Sequence, residues 1–176
     1  MLIWCLIIIG SILLDQLSKI LVVEFLSRET PLVVIEGVFR FTYVENDGAA
    51  FGMLDDHRWI FMVLSVIGIS AVFIYLLKFR PSSRLACTAL AFIIGGGIGN
   101  MIDRVRLGYV IDFIDFYAFP NVWMWVFNVA DSFVCVGAGM LILYLILDIV
   151  KDSKKQKEAL NGEAITDSSE GDSSDE

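Results

Sequence analysis

The stretch WIFMVLSVIGISAVFIYLL, residues 59–77, runs for nineteen positions without a charged side chain. A helix needs roughly 20 mostly apolar residues to cross about 30 Å of hydrocarbon, so this run is long enough to span a membrane. Residues 85–102 are nearly as clean. Residues 2–26 qualify if Asp15 and Lys19 are tolerated, and residues 122–147 contain only Asp131. The runs predict spans over 2–26, 59–77, 85–107 and 126–147, in one transmembrane domain covering residues 1–150. The expected fold class is an all-α membrane protein, a bundle of four transmembrane helices with a small β element on the extracytoplasmic side. A hydrophobic share of 57% and a mean hydropathy of +0.72 agree with a membrane protein.

The net charge of −8 is concentrated at one end: residues 152–176 hold eight acids and three lysines, which is −5 of it. The segment 151–176 lacks the apolar content to offset its ordering entropy and reads as a cytoplasmic, acidic, disordered tail. No basic, aromatic patch suggests nucleic acid. Cys5, Cys87 and Cys135 fall inside apolar runs with no paired spacing, as buried small hydrophobes would. The first run has no positive leading region and no small-residue cleavage site, and Asp15 interrupts it, so a retained helix is expected rather than a signal peptide.

Orientation follows from the basic residues. The link between the second and third runs, Lys78-Phe79-Arg80-Pro81-Ser82-Ser83-Arg84, has three basic residues and no acid, and Lys151, Lys154, Lys155 and Lys157 follow the fourth run. Glu24, Arg28, Glu29, Asp55, Asp56 and Arg58 on the other side are mixed. The positive-inside bias therefore places both termini in the cytoplasm. Outside the bilayer, residues 30–54 alternate in Phe39-Arg40-Phe41-Thr42-Tyr43, a strand period, with Pro31, Gly37 and Asn46-Asp47-Gly48 as punctuation. Residues 113–126, rich in Phe, Tyr and Trp, read as an interfacial aromatic belt.

Charged groups at membrane depth cost several kcal/mol each and call for a reason. Asp15 and Lys19 stand at i, i+4 and are spaced to pair with each other. Two carboxylates from adjacent antiparallel helices, one being Asp131, would share a proton in low dielectric. That leaves one as general base for water and one as acid, the chemistry of an aspartic protease. The partner of Asp131 is open between three residues. Asn100, Asp103 and Arg104 share a helical face, whereas Asp112 lies nine residues past Asp103, about half a turn away on a continuous helix. Gly108 offers a break between them. Arg104 and Arg106 beside Asp103 should hold it ionised and paired. Asp112, among Val110, Ile111, Phe113 and Ile114, has the apolar surroundings that favour it. Asp115 is a third option.

Other chemistries fare worse. His57 is the one histidine, so neither a zinc site built on a histidine pair nor a Ser–His pair is available. Gly95-Gly96-Gly97-Ile98-Gly99 lacks the Gly-Lys-Ser/Thr ending of a phosphate loop and reads instead as a surface for close helix approach.

Four stretches together resemble the bacterial lipoprotein signal peptidases (signal peptidase II). They are Asp15-Gln16-Leu17-Ser18-Lys19, then Asn46-Asp47-Gly48-Ala49-Ala50-Phe51-Gly52. Gly99-Asn100-Met101-Ile102-Asp103-Arg104 follows, running on to Val110-Ile111-Asp112-Phe113, and Phe127-Asn128-Val129-Ala130-Asp131 is the last. The similarity covers residues 1–150. It implies an endopeptidase of the bacterial inner membrane that cleaves lipid-modified prolipoproteins before the diacylglyceryl cysteine, with an aspartate dyad and neither metal nor cofactor. Carried over by motif, the dyad is Asp112 and Asp131. Asn46, Asn100, Asp103, Arg104 and Asn128 match polar positions around the site, and Asp15 matches a further motif aspartate. The implied partners are prolipoproteins and membrane lipids, with the enzyme acting as a monomer in a cleft between the third and fourth helices. The acidic tail has no counterpart in the pattern. The competing reading from another class is a proton- or cation-coupled carrier using buried carboxylates, for which the chain lacks internal repeats.

Overall fold

Ser83 opens the helix on which the bundle is built. The computed structural model describes residues 2–26, 28–47, 58–79, 81–118 and 125–170. Its elements are α1 (Leu2–Phe25), β1 (Leu32–Ile35), β2 (Phe39–Asn46), α2 (Arg58–Phe79), α3 (Arg84–Arg106), β3 (Val110–Phe116), β4 (Val126–Phe127) and α4 (Val129–Glu170). Four stretches are long and apolar enough to cross a membrane, namely Leu2–Phe25, Met62–Phe79, Arg84–Arg106 and Val129–Lys154, at the four places the sequence marks. The Ser83 hydroxyl caps α3 by accepting from the Ala86 N–H at 3.3 Å.

α3 touches all three other helices, and its glycines explain how. Successive residues on a helix point about 100° apart, so Gly95, Gly96 and Gly97 face three directions. A Cβ on Gly95 would stand 2.7 Å from the Ser11 Cβ of α1, and one on Gly97 would stand 2.9 Å from Ile69 Cδ1 of α2. A Cβ on Gly96 would collide with the Ala130 carbonyl oxygen of α4. Farther along α4, Gly137 lies against Ala89 and Ile93 of α3. The two helices therefore close on each other along these glycines. Below the glycines, Leu76, Cys87, Leu90 and Ile94 form the apolar core, flanked by Trp4, Ile8, Ile69 and Leu141.

α3 ends with the Leu107 N–H donating to the Asp103 carbonyl at 2.7 Å. Gly108 then takes φ +89°, a conformation that other residues seldom adopt, and turns the chain into β3. Asp112 is thus on a strand and not on the third helical segment. Of residues 113–126, read as an aromatic belt, 113–116 belong to β3 and Val126 to β4, in a four-stranded antiparallel sheet of order β1-β2-β3-β4, and 119–124 lie outside the described residues. β1 and β2 occupy the expected β segment, of which residues 48–54 lie outside the described residues, as does His57.

Two further expectations change. Cys87 is buried, but Cys5 and Cys135 face outward, where the bilayer rather than the protein supplies the apolar surroundings. α4 continues as helix through residues 151–170 of the expected tail. A helix already formed extends without a nucleation cost, and Lys, Gln, Glu and Ala are good formers.

The glycine contacts generate a paired test. Gly96→Ala must push α3 from α4 and is expected to destabilise the protein by about 1–3 kcal/mol, an overpacking cost. Gly139→Ala, with open space around its Cβ position, should not. Thermal unfolding of the two variants in detergent measures the difference.

Candidate active site

β4 is only two residues long, yet it decides where α4 begins. Pairing of Ile114 with Phe127 and of Asp115 with Val126 lays the chain beside β3 immediately before Asn128. Asn128 is then the N-cap of α4, and Asp131 is its third helical residue. Their hydrogen bonds are reciprocal: the Asp131 N–H donates to Asn128 Oδ1 at 2.9 Å, and the Asn128 N–H donates to Asp131 Oδ2 at 3.2 Å. This is a capping box with an aspartate in the place usually held by glutamate. It fixes the Asp131 carboxylate at the helix start.

Asp112 arrives from β3. Val44 of β2 pairs with Asp112, so Asn46, two residues along, projects from the same face as a diagonal neighbour. Its Nδ2 donates to Asp112 Oδ2 at 2.8 Å. On the other oxygen, Asn128 Nδ2 donates to Asp112 Oδ1 at 2.6 Å. Asn100 of α3 completes the group, donating from Nδ2 to Asp131 Oδ1 at 2.7 Å and accepting from Asn128 Nδ2 at 3.0 Å. Asp112, Asp131, Asn46, Asn100 and Asn128 therefore form one hydrogen-bonded cluster at the sheet end of the bundle.

Behind it lies a second, ionic group. Lys19 Nζ lies 2.9 Å from Asp15 Oδ2, 2.8 Å from Asp103 Oδ2 and 3.0 Å from Asn100 Oδ1. Asp103 thus pairs with Lys19, where the sequence suggested an arginine neighbour, because α1 packs directly on α3 at Gly99. Asp103 also accepts from the Ile111 N–H at 3.3 Å and from Gln16 Nε2 at 2.9 Å. Asp15 accepts from the Ala130 N–H at 2.9 Å, supplying a partner to a free donor at the start of α4. Arg104 is half-buried, and its charge acts on Asp131, Asp112 and Asp103. Among the described residues, no buried side-chain nitrogen or oxygen lacks a hydrogen bond.

Asp115 stands apart. Three residues along the strand from Asp112, it points to the opposite face and pairs with Arg40 at 2.6 Å. Its carboxylate is committed to the sheet, whereas Asp112 shares Asn128 with Asp131. Gln16 is the contributor that residue-type reasoning passed over. Its i, i+3 spacing to Lys19 put it on the charged face of α1, a signal available in the sequence. The backbone donors of Ala130 and Ile111 had no such signal.

Asp112 is 2% exposed, and burial is the main reason its carboxyl is raised from 3.8 to about 6. The Asn46 and Asn128 hydrogen bonds oppose that rise, and the Asp131 charge adds to it. Because the folded value lies above the ordinary one, this carboxyl stabilises the fold most at low pH, and the contribution fades as pH climbs through about 6. Two carboxyl groups bridged by amides, one of them protonatable near neutrality, can act together as acid and base.

The model of the family described as signal peptidase (SPase) II matches residues 7–147. A protein of Halothermothrix orenii named lipoprotein signal peptidase is 48% identical over 134 residues, 76% of this chain and 88% of that one. A Clostridioides difficile protein of the same name is 44% identical over 144 residues, 81% of this chain and 94% of that one. A bacterial membrane enzyme solved by the in meso method at 2.3 Å superposes with a TM-score of 0.76 at 29% identity, covering 83% of this chain and 88% of its own.

The hydrogen bond from Asn46 can be tested without any assay of turnover. Asn46→Leu removes a donor that favours the ionised carboxylate, so Asp112 should titrate above about 6 in that variant. Carboxyl infrared difference spectra against Asp112→Asn would follow the titration. An unchanged midpoint would show that this contact does not reach the carboxyl.

Proposed function

Because the chain belongs to the signal peptidase II family, we propose that it removes signal peptides from lipid-modified prolipoproteins, hydrolysing the bond before the diacylglyceryl cysteine with Asp112 and Asp131. The observation that carries the aspartic mechanism is that one residue, Asn128, hydrogen-bonds both carboxylates at once. Asp131 accepts two donated bonds and sits at the positive end of the α4 dipole, which suits the ionised member. Asp112, buried among apolar neighbours, suits the protonated one. Asp131 takes a proton from a water molecule as the water oxygen bonds to the scissile carbonyl carbon. Asp112 gives its proton to the carbonyl oxygen. As the tetrahedral intermediate collapses, Asp112 takes back a hydroxyl proton, the C–N bond breaks, and Asp131 gives its proton to the leaving amine. The carrier reading is set aside, since the relatives are peptidases.

The cell location and topology belong to the same proposal. Lys78, Arg84, Lys151 and Lys154 lie at the end of the bundle away from the sheet, which by the positive-inside bias is cytoplasmic. Both termini then face the cytoplasm of a bacterium, and the dyad lies near the extracytoplasmic face of its inner membrane, in a monomeric enzyme open to lipid. The segment after residue 150 stands apart from the catalytic domain.

Purified protein and a diacylglyceryl-modified prolipoprotein, scored for signal-peptide release, test the reading. Asp112→Asn and Asp131→Asn are each expected to lower turnover by at least about a hundredfold in a folded protein, the typical share of a general acid or base. Near-normal turnover in either variant would remove it from the dyad. The rate should be bell-shaped in pH, with its alkaline limb following Asp112, and should persist in strong chelators. Chelator-sensitive cleavage would overturn the dyad mechanism. A chain ended after Lys157 should cleave as the full chain does, and loss of activity with insertion intact would give the tail a function.

A further inference from the structure

Lys19 makes one bond more than an ion pair needs. Two of its contacts are to Asp15 and Asp103, and they already leave no net positive charge at this buried point. The third goes to Asn100 Oδ1 at 3.0 Å. An ammonium has three donors and no acceptor, so the Asn100 atom facing it must be the oxygen. The amide nitrogen must then point the other way, and there it donates to Asp131 Oδ1 at 2.7 Å. Asn128 Nδ2 supports the same orientation at 3.0 Å, as a neutral donor. We propose that Lys19 is a positioning residue of the dyad, acting through Asn100 to keep a hydrogen-bond donor directed at Asp131. Charge-assisted bonds are roughly twice as strong as neutral ones, so Lys19 is the stronger of the two constraints on the amide. A carboxylate that loses this donor is a poorer base at low pH.

The inference rests on the dyad reading. The charged groups facing the dyad, among the described residues, are Asp15 and Lys19 from α1, Asp103 and Arg104 from α3, and the two aspartates themselves from β3 and α4. Any test must therefore separate Lys19 from the acids it neutralises. Lys19→Met alone strands two carboxylates and would compromise folding, so the informative comparison is Lys19→Met/Asp103→Asn against Asp103→Asn. The double variant keeps the Asp15 bonds to Ala130 and Gln16. In the full-length enzyme, corrected for folded fraction by thermal unfolding, the acid limb of the kcat/KM profile is expected to move toward neutral pH by about one pH unit in the double variant. It should stay in place in Asp103→Asn. A folded double variant with an unmoved acid limb would overturn the role of Lys19, as would an equal shift in Asp103→Asn. If Asp131→Asn retains turnover, the dyad reading itself has failed; an unmoved limb with Asp131 essential removes Lys19 alone.

Discussion

The start of α4 is the point to which the rest of the structure refers. A helix leaves its first backbone N–H groups without partners, and where they are buried the protein must supply them. Here they are met by carboxylates: Asp15 from α1 takes the Ala130 N–H, and Asp131 takes the Asn128 N–H. The same donors that the helix must satisfy thus hold two acids that the bilayer would otherwise expel. Each side of the exchange removes a cost of the other, and the alignment of α1, α3, α4 and the sheet follows from bringing those groups together.

The four spans and the polar residues of the site were legible because both leave strong marks on a sequence. An uncharged run of membrane length has few alternative readings, and an aspartate inside an apolar run must be accounted for. The assignment of Asp112 to a helix-like segment failed for a physical reason. Val110–Phe116 is buried on both faces over most of its length, so its sequence lacks the alternation that marks a strand with one wet face. Gly108 announced a break but not what followed it. The Lys19 partner of Asp103 left no such mark: Arg104 is adjacent in sequence, whereas Lys19 is adjacent only once α1 has packed on α3.

Rigidity in this site comes from amides rather than from further charges. Asn46, Asn100 and Asn128 each carry a donor and an acceptor, so each can join a carboxylate on one side to something fixed on the other. Asn128 joins Asp112 to the α4 backbone, Asn100 joins Asp131 to Lys19, and Asn46 joins Asp112 to β2. A second ring of lysines or arginines would have held the acids as firmly, but it would have pinned both in the ionised state. Neutral amides hold geometry and leave a proton free to move.

The Asp15–Lys19 pair also bears on how such a chain can be made. α1 is synthesised and offered to the bilayer before α3, with Asp103 and Asn100, exists. A lone aspartate or lysine in that helix would oppose its entry into hydrocarbon. Placed one turn apart, at 2.9 Å, the two form a neutral dipole within a single helix and need no later partner to do so. The helix can therefore be inserted first and recruited second, its ion pair turning from an internal neutraliser into the bracket that α3 closes on.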